Sequence, residues 1–233
     1  MIIGGMRKLS TLDYPTRLCV TVFTKGCNFR CPFCHNSSLV LKEKFDCGEN
    51  ICQKEIFEFL KKRKGLLDAL CLTGGEPLIN DIAEIINFLS TVKEQGFLVK
   101  LDTNGSYPEK LSLLMKENLV DFVAMDIKNS LSKYGETVGI DVRTEDIRKS
   151  VGILMNGNVD FEFRTTVVKN LHDEESMKEI GKWLEGTEKY YLQMFVPSEN
   201  TIKQGYEPYT ANELENLRRL VLPYIPNTFL RGV

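Results

Sequence analysis

The sequence predicts a single-domain α/β chain whose parallel sheet is wound as a partial (β/α)6, TIM-like barrel. Short apolar, β-branched runs alternate with helical stripes, the pattern of repeated βαβ units. The pattern repeats six times, too few for a complete eightfold barrel. No Pro/Gly/Ser-rich linker and no low-complexity stretch divides the 233 residues. Residues 1–233 therefore read as one unit, with a short lead-in over 1–16. A doubly wound open sheet alternates in the same way and stays open at this point.

The elements follow in order. Arg17 to Thr24 (RLCVTVFT) is the first strand. From Gln53 to Lys64, Ile56, Phe57, Phe59 and Leu60 with a basic end mark a helix stopped by Gly65. Ala69 to Thr73 is the second strand. Asp81 to Glu94 places Ile82, Ile85, Ile86 and Leu89 one above another, the clearest helical stripe in the chain. Phe97 to Leu101 is the third strand, Glu109 to Glu117 a helix, and Val120 to Met125 the fourth strand. Thr144 caps a helix carrying Ile147, Val151 and Leu154, with Glu145 and Asp146 in its first turn. Val159 to Val168 is the fifth strand. Met177, Ile180 and Leu184 mark a helix ended near Gly186, and Tyr190 to Val196 is the sixth strand. Thr210 and Glu213 form a capping box that opens the last helix. Functional residues of such folds gather at the C-terminal ends of the strands.

A hydrophobic content of 42% with 27% charged residues is that of an ordinary globular protein. A net charge of −2 gives no reason to expect nucleic acid as a partner. The basic run Lys61 to Lys64 closes a helix, where cations suit the dipole. No apolar run approaches the ~18 residues of a membrane span, and Met1 to Leu12 lacks the apolar core of a signal peptide. The expected location is the cytoplasm, without a membrane partner.

Of seven cysteines, three fall within eight residues, which suits metal binding better than a disulfide framework. Cys27, Cys31 and Cys34 lie in residues 25–36 (KGCNFRCPFCHN), directly after the first strand, with the spacing C-x3-C-x2-C. Three thiolates from one loop can hold three irons of a [4Fe–4S] cube and leave the fourth iron open to a ligand. Zinc with His35 as a fourth ligand is the alternative. It ranks behind the cluster, because the adjacent Cys34 and His35 point in different directions. Cys19 and Cys71 lie in apolar strands and read as small buried hydrophobes. Cys47 and Cys52 flank a polar loop and are too few to close a second cluster.

The cysteine triad, with Phe33 before its third member, resembles the signature of the radical S-adenosylmethionine (SAM) superfamily. The resemblance implies that the open iron binds the amino and carboxylate groups of SAM. It also implies reductive cleavage of SAM to methionine and a 5′-deoxyadenosyl radical, which abstracts a hydrogen atom. Thr73 to Pro77 (TGGEP) looks like the superfamily's segment for the SAM amino group. There Gly74 and Gly75 let a ligand approach the backbone, and Glu76 accepts from an ammonium.

Asp102-Thr103-Asn104-Gly105 and Met125-Asp126-Ile127-Lys128, at the next two strand ends, look most like those of glycyl-radical enzyme activases. That likeness makes Asp102, Asn104, Asp126 and Lys128 SAM-site candidates and implies a monovalent cation beside them. Arg164, a charge within a strand, is expected to face the barrel interior and meet the SAM carboxylate or Glu76. Gln193 stands where pyruvate formate-lyase activases carry a histidine, which leaves its role undefined. His35-Asn36 completes a Cys-His-Asn string, whose ring is expected beside the cluster or adenine. His172 reads as a surface residue of a capping region. No catalytic residue is expected beyond the cluster and SAM site.

Residues 4–15 (GGMRKLSTLDYP) most resemble the start of anaerobic ribonucleoside-triphosphate reductase activating proteins. The implied reaction is hydrogen abstraction from a glycine Cα of a glycyl-radical enzyme, with a flavodoxin- or ferredoxin-type electron donor. Three alternatives stay open. They are activation of another glycyl-radical enzyme such as pyruvate formate-lyase, radical SAM chemistry on a small molecule of the deazapurine-synthesis type, and a non-catalytic iron–sulfur or zinc module.

Overall fold

The computed structural model describes residues 1–47 and 50–233; the side chains of residues 46 and 47, and with them the reading of Cys47, lie outside the described residues. Among the described residues one eight-stranded sheet runs in the order β1 to β8. Its strands are β1 (Ile3–Ser10), β2 (Cys19–Thr24), β3 (Ala69–Gly74), β4 (Leu98–Thr103), β5 (Phe122–Asp126), β6 (Asp160–Val167), β7 (Tyr190–Met194) and β8 (Thr228–Arg231). From β2 to β8 every neighbour is parallel, and β1 lies antiparallel on β2.

The crossovers are α1 (Gln53–Lys62), α2 (Ile82–Glu94), α3 (Pro108–Lys116), α4 (Thr144–Met155), α5 (Glu174–Trp183) and α6 (Ala211–Val221). Each steps to the next strand in the same direction. A doubly wound sheet reverses its strand order at a switch point, and this one does not. The sequential winding is that of a partial barrel with an open side.

The six expected strands and six expected helices are present. β1 and β8 are additions. The alternation of β1 is hidden by Gly4, Gly5, Arg7 and Lys8, and β8 is only four residues long. Helix α4 begins on Thr144 itself, with Arg143 before it. Thr210 and Glu213 make the expected capping box. Among the described residues no helix is long and apolar enough to cross a membrane.

The two faces of the strands differ in chemistry. Val20, Val22, Leu70, Leu72, Val99, Leu101 and Val123 join the helices' Ile56, Leu60, Ile85, Phe88 and Leu111 in the main core. The opposite face carries Cys19, Ala69, Cys71, Phe122 and Ala124, which close on Tyr14 of the lead-in as a separate small plug. Cys19 and Cys71 are fully buried there, as small hydrophobes should be. Above the plug the same face carries Lys100, Asp102, Asp126 and Arg164. β-strand register sets Asp126 beside Arg164 and Asp102 beside Ala124.

The core can be tested at one position against a surface control. Leu72 is fully buried under the helices, so Leu72→Ala should cost about 2–5 kcal/mol in denaturant unfolding. Leu12 is 86% exposed, and Leu12→Ala should change stability by less than about 0.5 kcal/mol.

Candidate functional site

A cavity of about 430 Å³ opens at the C-terminal ends of the strands. That is the size of a small-molecule site. Cys27, Cys31 and Cys34 reach it from the loop after β2, and Gly74 and Gly75 from the end of β3. Asp102 and Asn104, Asp126 and Lys128, Arg164, and Gln193 reach it from β4, β5, β6 and β7 in turn. All but one of the residues singled out for this site in the sequence line the cavity. The exception is Glu76.

The cysteine loop is held by bonds that leave its thiols facing inward. Gly26 N donates to Leu39 O at 2.7 Å, and Arg30 N to Val138 O at 2.9 Å. The Arg30 guanidinium donates back to the carbonyls of Cys27 (2.8 Å) and Phe29 (2.7 Å). Asn104 Nδ2 donates to Asn28 Oδ1 at 3.0 Å and lies 3.9 Å from Cys27 Sγ. Burial pushes the Cys27 thiol up to about 12 and the Cys31 thiol up to about 11, and raises Cys34 as well. Iron must therefore displace three protons when it binds.

Among the described residues no three His, Cys, Asp or Glu side chains are gathered as the ligands of one metal ion. Three cysteines nevertheless share one cavity. A four-iron cube takes each thiolate on a different iron and needs them spread apart, so the donor set fits a cluster. A Cys3His zinc site does not fit. The His35 ring instead stacks on Phe195, centroids 5.4 Å apart and 22° from parallel.

The two glycines of the TGGEP segment are required by neighbouring backbone. A Cβ on Gly74, whose φ is +122°, would lie 2.4 Å from Thr24 N. A Cβ on Gly75 would lie 2.0 Å from Gly26 O. In that space Gly75 N donates to Thr24 O at 3.0 Å and Glu76 N to Gly26 O at 2.7 Å. Asn36 Nδ2 adds a bond to Gly74 O at 3.1 Å. The cysteine loop and the TGGEP turn are thereby one body.

The Glu76 carboxylate, expected to meet a ligand ammonium, bonds within the chain in this structure. Glu76 is fully buried behind the cavity wall. Its Oε1 accepts from Leu78 N (3.0 Å) and the Thr103 hydroxyl (2.8 Å), and its Oε2 from Asn104 N (2.6 Å). The turn after β3 and the end of β4 leave these donors without partners, and Glu76 supplies the acceptor. Burial pushes its carboxyl up to about 7 against the pull of those three bonds. It orders Asn104, which does face the cavity.

Arg164 faces the interior as expected, but it meets two aspartates and not Glu76. Its Nε lies 2.9 Å from Asp126 Oδ1 and its Nη1 3.4 Å from Asp102 Oδ2. Lys128 Nζ lies 3.0 Å from Asp126 Oδ2. Lys100 Nζ pairs with Asp102 Oδ1 from below. Burial alone would raise both carboxyls; Arg164, with Lys100 at one and Lys128 at the other, holds them below the usual carboxylate range.

All four carboxylate oxygens thus face a cationic nitrogen of the chain, and the donor set does not fit the implied monovalent cation. Lys100 was not legible as part of the site, although its i, i+2 spacing from Asp102 puts both on one strand face. His172 is buried, not a surface residue. Its Nδ1 accepts from Val168 N (3.1 Å) and its Nε2 donates to Lys128 O (2.8 Å), which braces the segment carrying Lys128. Burial lowers its pKa, keeping the imidazole neutral.

Comparison with known proteins agrees with this geometry. The family model described as Radical SAM superfamily matches residues 21–183. The protein named "Putative glycyl-radical enzyme activating enzyme MJ1227", from Methanocaldococcus jannaschii, is 35% identical over 100% of this chain and 96% of its own length. A pyruvate formate-lyase-activating enzyme of Listeria monocytogenes is 29% identical over 54% of this chain and 52% of its own. The crystal structure of Streptococcus suis SuiB has the same fold, with a TM-score of 0.69 at 18% identity over 90% of this chain and 48% of that one.

Two measurements test the site. Cys27→Ala, Cys31→Ala and Cys34→Ala should each abolish incorporation of the cluster, read as iron and sulfide content. Cys52→Ala, at an exposed helix cap, should leave that content unchanged. Glu76→Ala strands three buried donors, each costing about 1–3 kcal/mol, so unfolding should shift to markedly lower denaturant.

The pH dependence has a definite sign. The Glu76 carboxyl is raised from 4.5 to about 7 in the folded chain. Its stabilising contribution is therefore full below 4.5 and lost as pH rises through 7, on the order of 3 kcal/mol in all. Glu76→Gln cannot titrate, so wild type should lose stability relative to it across that window. A flat difference would remove Glu76 from the titrating groups.

Proposed function

Since this chain belongs to the radical SAM superfamily, we propose that it is an activating enzyme that places a glycyl radical on a partner enzyme. The observation that carries this reading is the full-length likeness to a protein named as a glycyl-radical enzyme activating enzyme, spanning 96% of that relative. The partner proposed is an anaerobic ribonucleoside-triphosphate reductase. It is supported by the resemblance of residues 4–15 to the activating proteins of that enzyme. A flavodoxin- or ferredoxin-type protein is proposed as electron donor, and the cytoplasm as the site of action.

Each part of the cavity has a task in this reading. Cys27, Cys31 and Cys34 would hold the cluster as thiolates, and His35, stacked on Phe195, walls one side of the cavity. Gly74 and Gly75 present backbone to the cavity, suited to the SAM amino group. Lys128 and Arg164 are suited to the SAM carboxylate by charge-assisted hydrogen bonds. Asp102 and Asp126 hold those two cations in place, and Asn104 ties the cavity wall to Cys27. When bound, the cluster would pass on one electron from the donor protein, and SAM would supply the radical that takes the glycine hydrogen. The chain's own share is binding, orientation and exclusion of water.

The test joins the reduced, cluster-loaded protein to SAM and the reductase. A glycyl radical should appear on the reductase as a doublet in electron paramagnetic resonance. Deuterium at that glycine should be recovered in 5′-deoxyadenosine. A radical on pyruvate formate-lyase but not on the reductase would keep the activase reading and replace the partner. Turnover of a soluble metabolite with no protein radical would replace the activase reading by small-molecule chemistry.

A further inference from the structure

Five charged side chains alternate in sign along the inner face of β4, β5 and β6 and the residues just beyond. Lys100 pairs with Asp102 Oδ1, and Arg164 Nη1 lies 3.4 Å from Asp102 Oδ2. Arg164 Nε lies 2.9 Å from Asp126 Oδ1, and Lys128 Nζ 3.0 Å from Asp126 Oδ2. Each carboxylate oxygen meets a different cationic contact, and three cations stand against two anions. The next inner-face carboxylate, Glu162, adds nothing to the imbalance, because Arg231 pairs with both its oxygens at 3.1 and 3.2 Å.

Lys100 closes the ladder at its base. It is 2% exposed and does not line the cavity, so it acts only through Asp102. Burial works against its charge, but Asp102 and Cys71 together outweigh burial and the amine stays protonated. A further cation between Asp102 and Asp126 would have to share oxygens already held by Arg164. It would also stand beside three side-chain cations in a poorly screened place. The cations that line the cavity, Lys128 and Arg164, are left to face an anionic group of a ligand instead.

We propose that the Asp102–Asp126 pair of this chain takes no monovalent cation, because Arg164 spans the two carboxylates and Lys100 holds the remaining oxygen of Asp102. Lys128 and Arg164 then meet the carboxylate of SAM directly, with no cation between. Lys100 is thus a positioning residue for the ligand's charge. The inference rests on the reading of the cavity as a SAM site.

The experiment measures SAM affinity of the cluster-loaded protein in tetramethylammonium, sodium and potassium chloride at equal ionic strength. For wild type the three dissociation constants should agree within about twofold. Lys100→Met keeps the aliphatic stem and removes the charge. Its affinity should fall in tetramethylammonium and recover by about tenfold in sodium or potassium. Lys100→Arg, which keeps the charge, should stay insensitive to the salt.

A wild-type affinity that rises about tenfold in either alkali salt overturns the inference, as does Lys100→Met with one affinity in all three salts. If Lys100→Met does not fold, judged by its thermal melt, the wild-type series alone decides whether a cation is needed. No partner protein enters this measurement. A chain that binds SAM without alkali dependence yet activates no glycyl-radical enzyme overturns the activase reading and leaves this one standing. Failure to bind SAM in any salt overturns the cavity reading, and this inference with it.

Discussion

The site depends on a backbone contact that tolerates no side chain. The end of β3 lies so close to the end of β2 that Gly75 N and Glu76 N bond to Thr24 O and Gly26 O across the space a Cβ would need. That contact fixes the cysteine loop relative to the next strand end. Glu76 carries the constraint one strand further, by accepting from Thr103 and Asn104 at the end of β4. Three successive strand ends are thereby locked through main-chain donors and the Thr103 hydroxyl before any cofactor is considered. The cavity wall they form is set by the fold and not by ligand contacts, as preorganisation requires.

Much of the fold was legible because parallel strands under helices carry strong local signals. The apolar stripe of Ile82, Ile85, Ile86 and Leu89 and the runs around Val20 and Leu70 pointed to βαβ units. What the sequence left open was the direction of winding, since alternation is the same in a barrel and in a doubly wound sheet. Only pairing settles that, and pairing is a long-range property. The edge strands escaped for a related reason. β1 packs through partly exposed glycines and charges, and β8 is too short to show a period.

The site was legible in its types and positions more than in its contacts. Cysteine spacing and charged strand ends marked the thiols and the charged side chains of the cavity, but not its walls of Phe29, Val40, Thr166, Met194 and Val196. Side-chain direction was not encoded in the same way. Glu76 follows two glycines and appears free to face a ligand, yet the unpaired donors of its neighbours draw it inward. His172 stands beside Asp173, which caps α5, and looked like part of that exposed turn. Its ring turns in because Val168 N and Lys128 O need partners. Buried backbone groups must be satisfied, and that demand overrode the local reading in both cases.

The order of the charges explains how a buried ladder can serve an exposed mouth. In β4 the cation precedes the anion, Lys100 then Asp102; after β5 the order is reversed, Asp126 then Lys128. The register sets Asp102 beside Ala124, and Asp126, two residues further along, beside Arg164. The ladder therefore climbs from strand to strand toward the C-terminal ends. At the base Lys100 is nearly sealed from solvent, whereas Lys128 at the top lines the cavity. A salt bridge buried at one end costs desolvation that its partner must offset. Here each anion is shared between two cations, so removing any one charge unbalances its neighbour, and the cation at the open end, Lys128, is one that a ligand can meet.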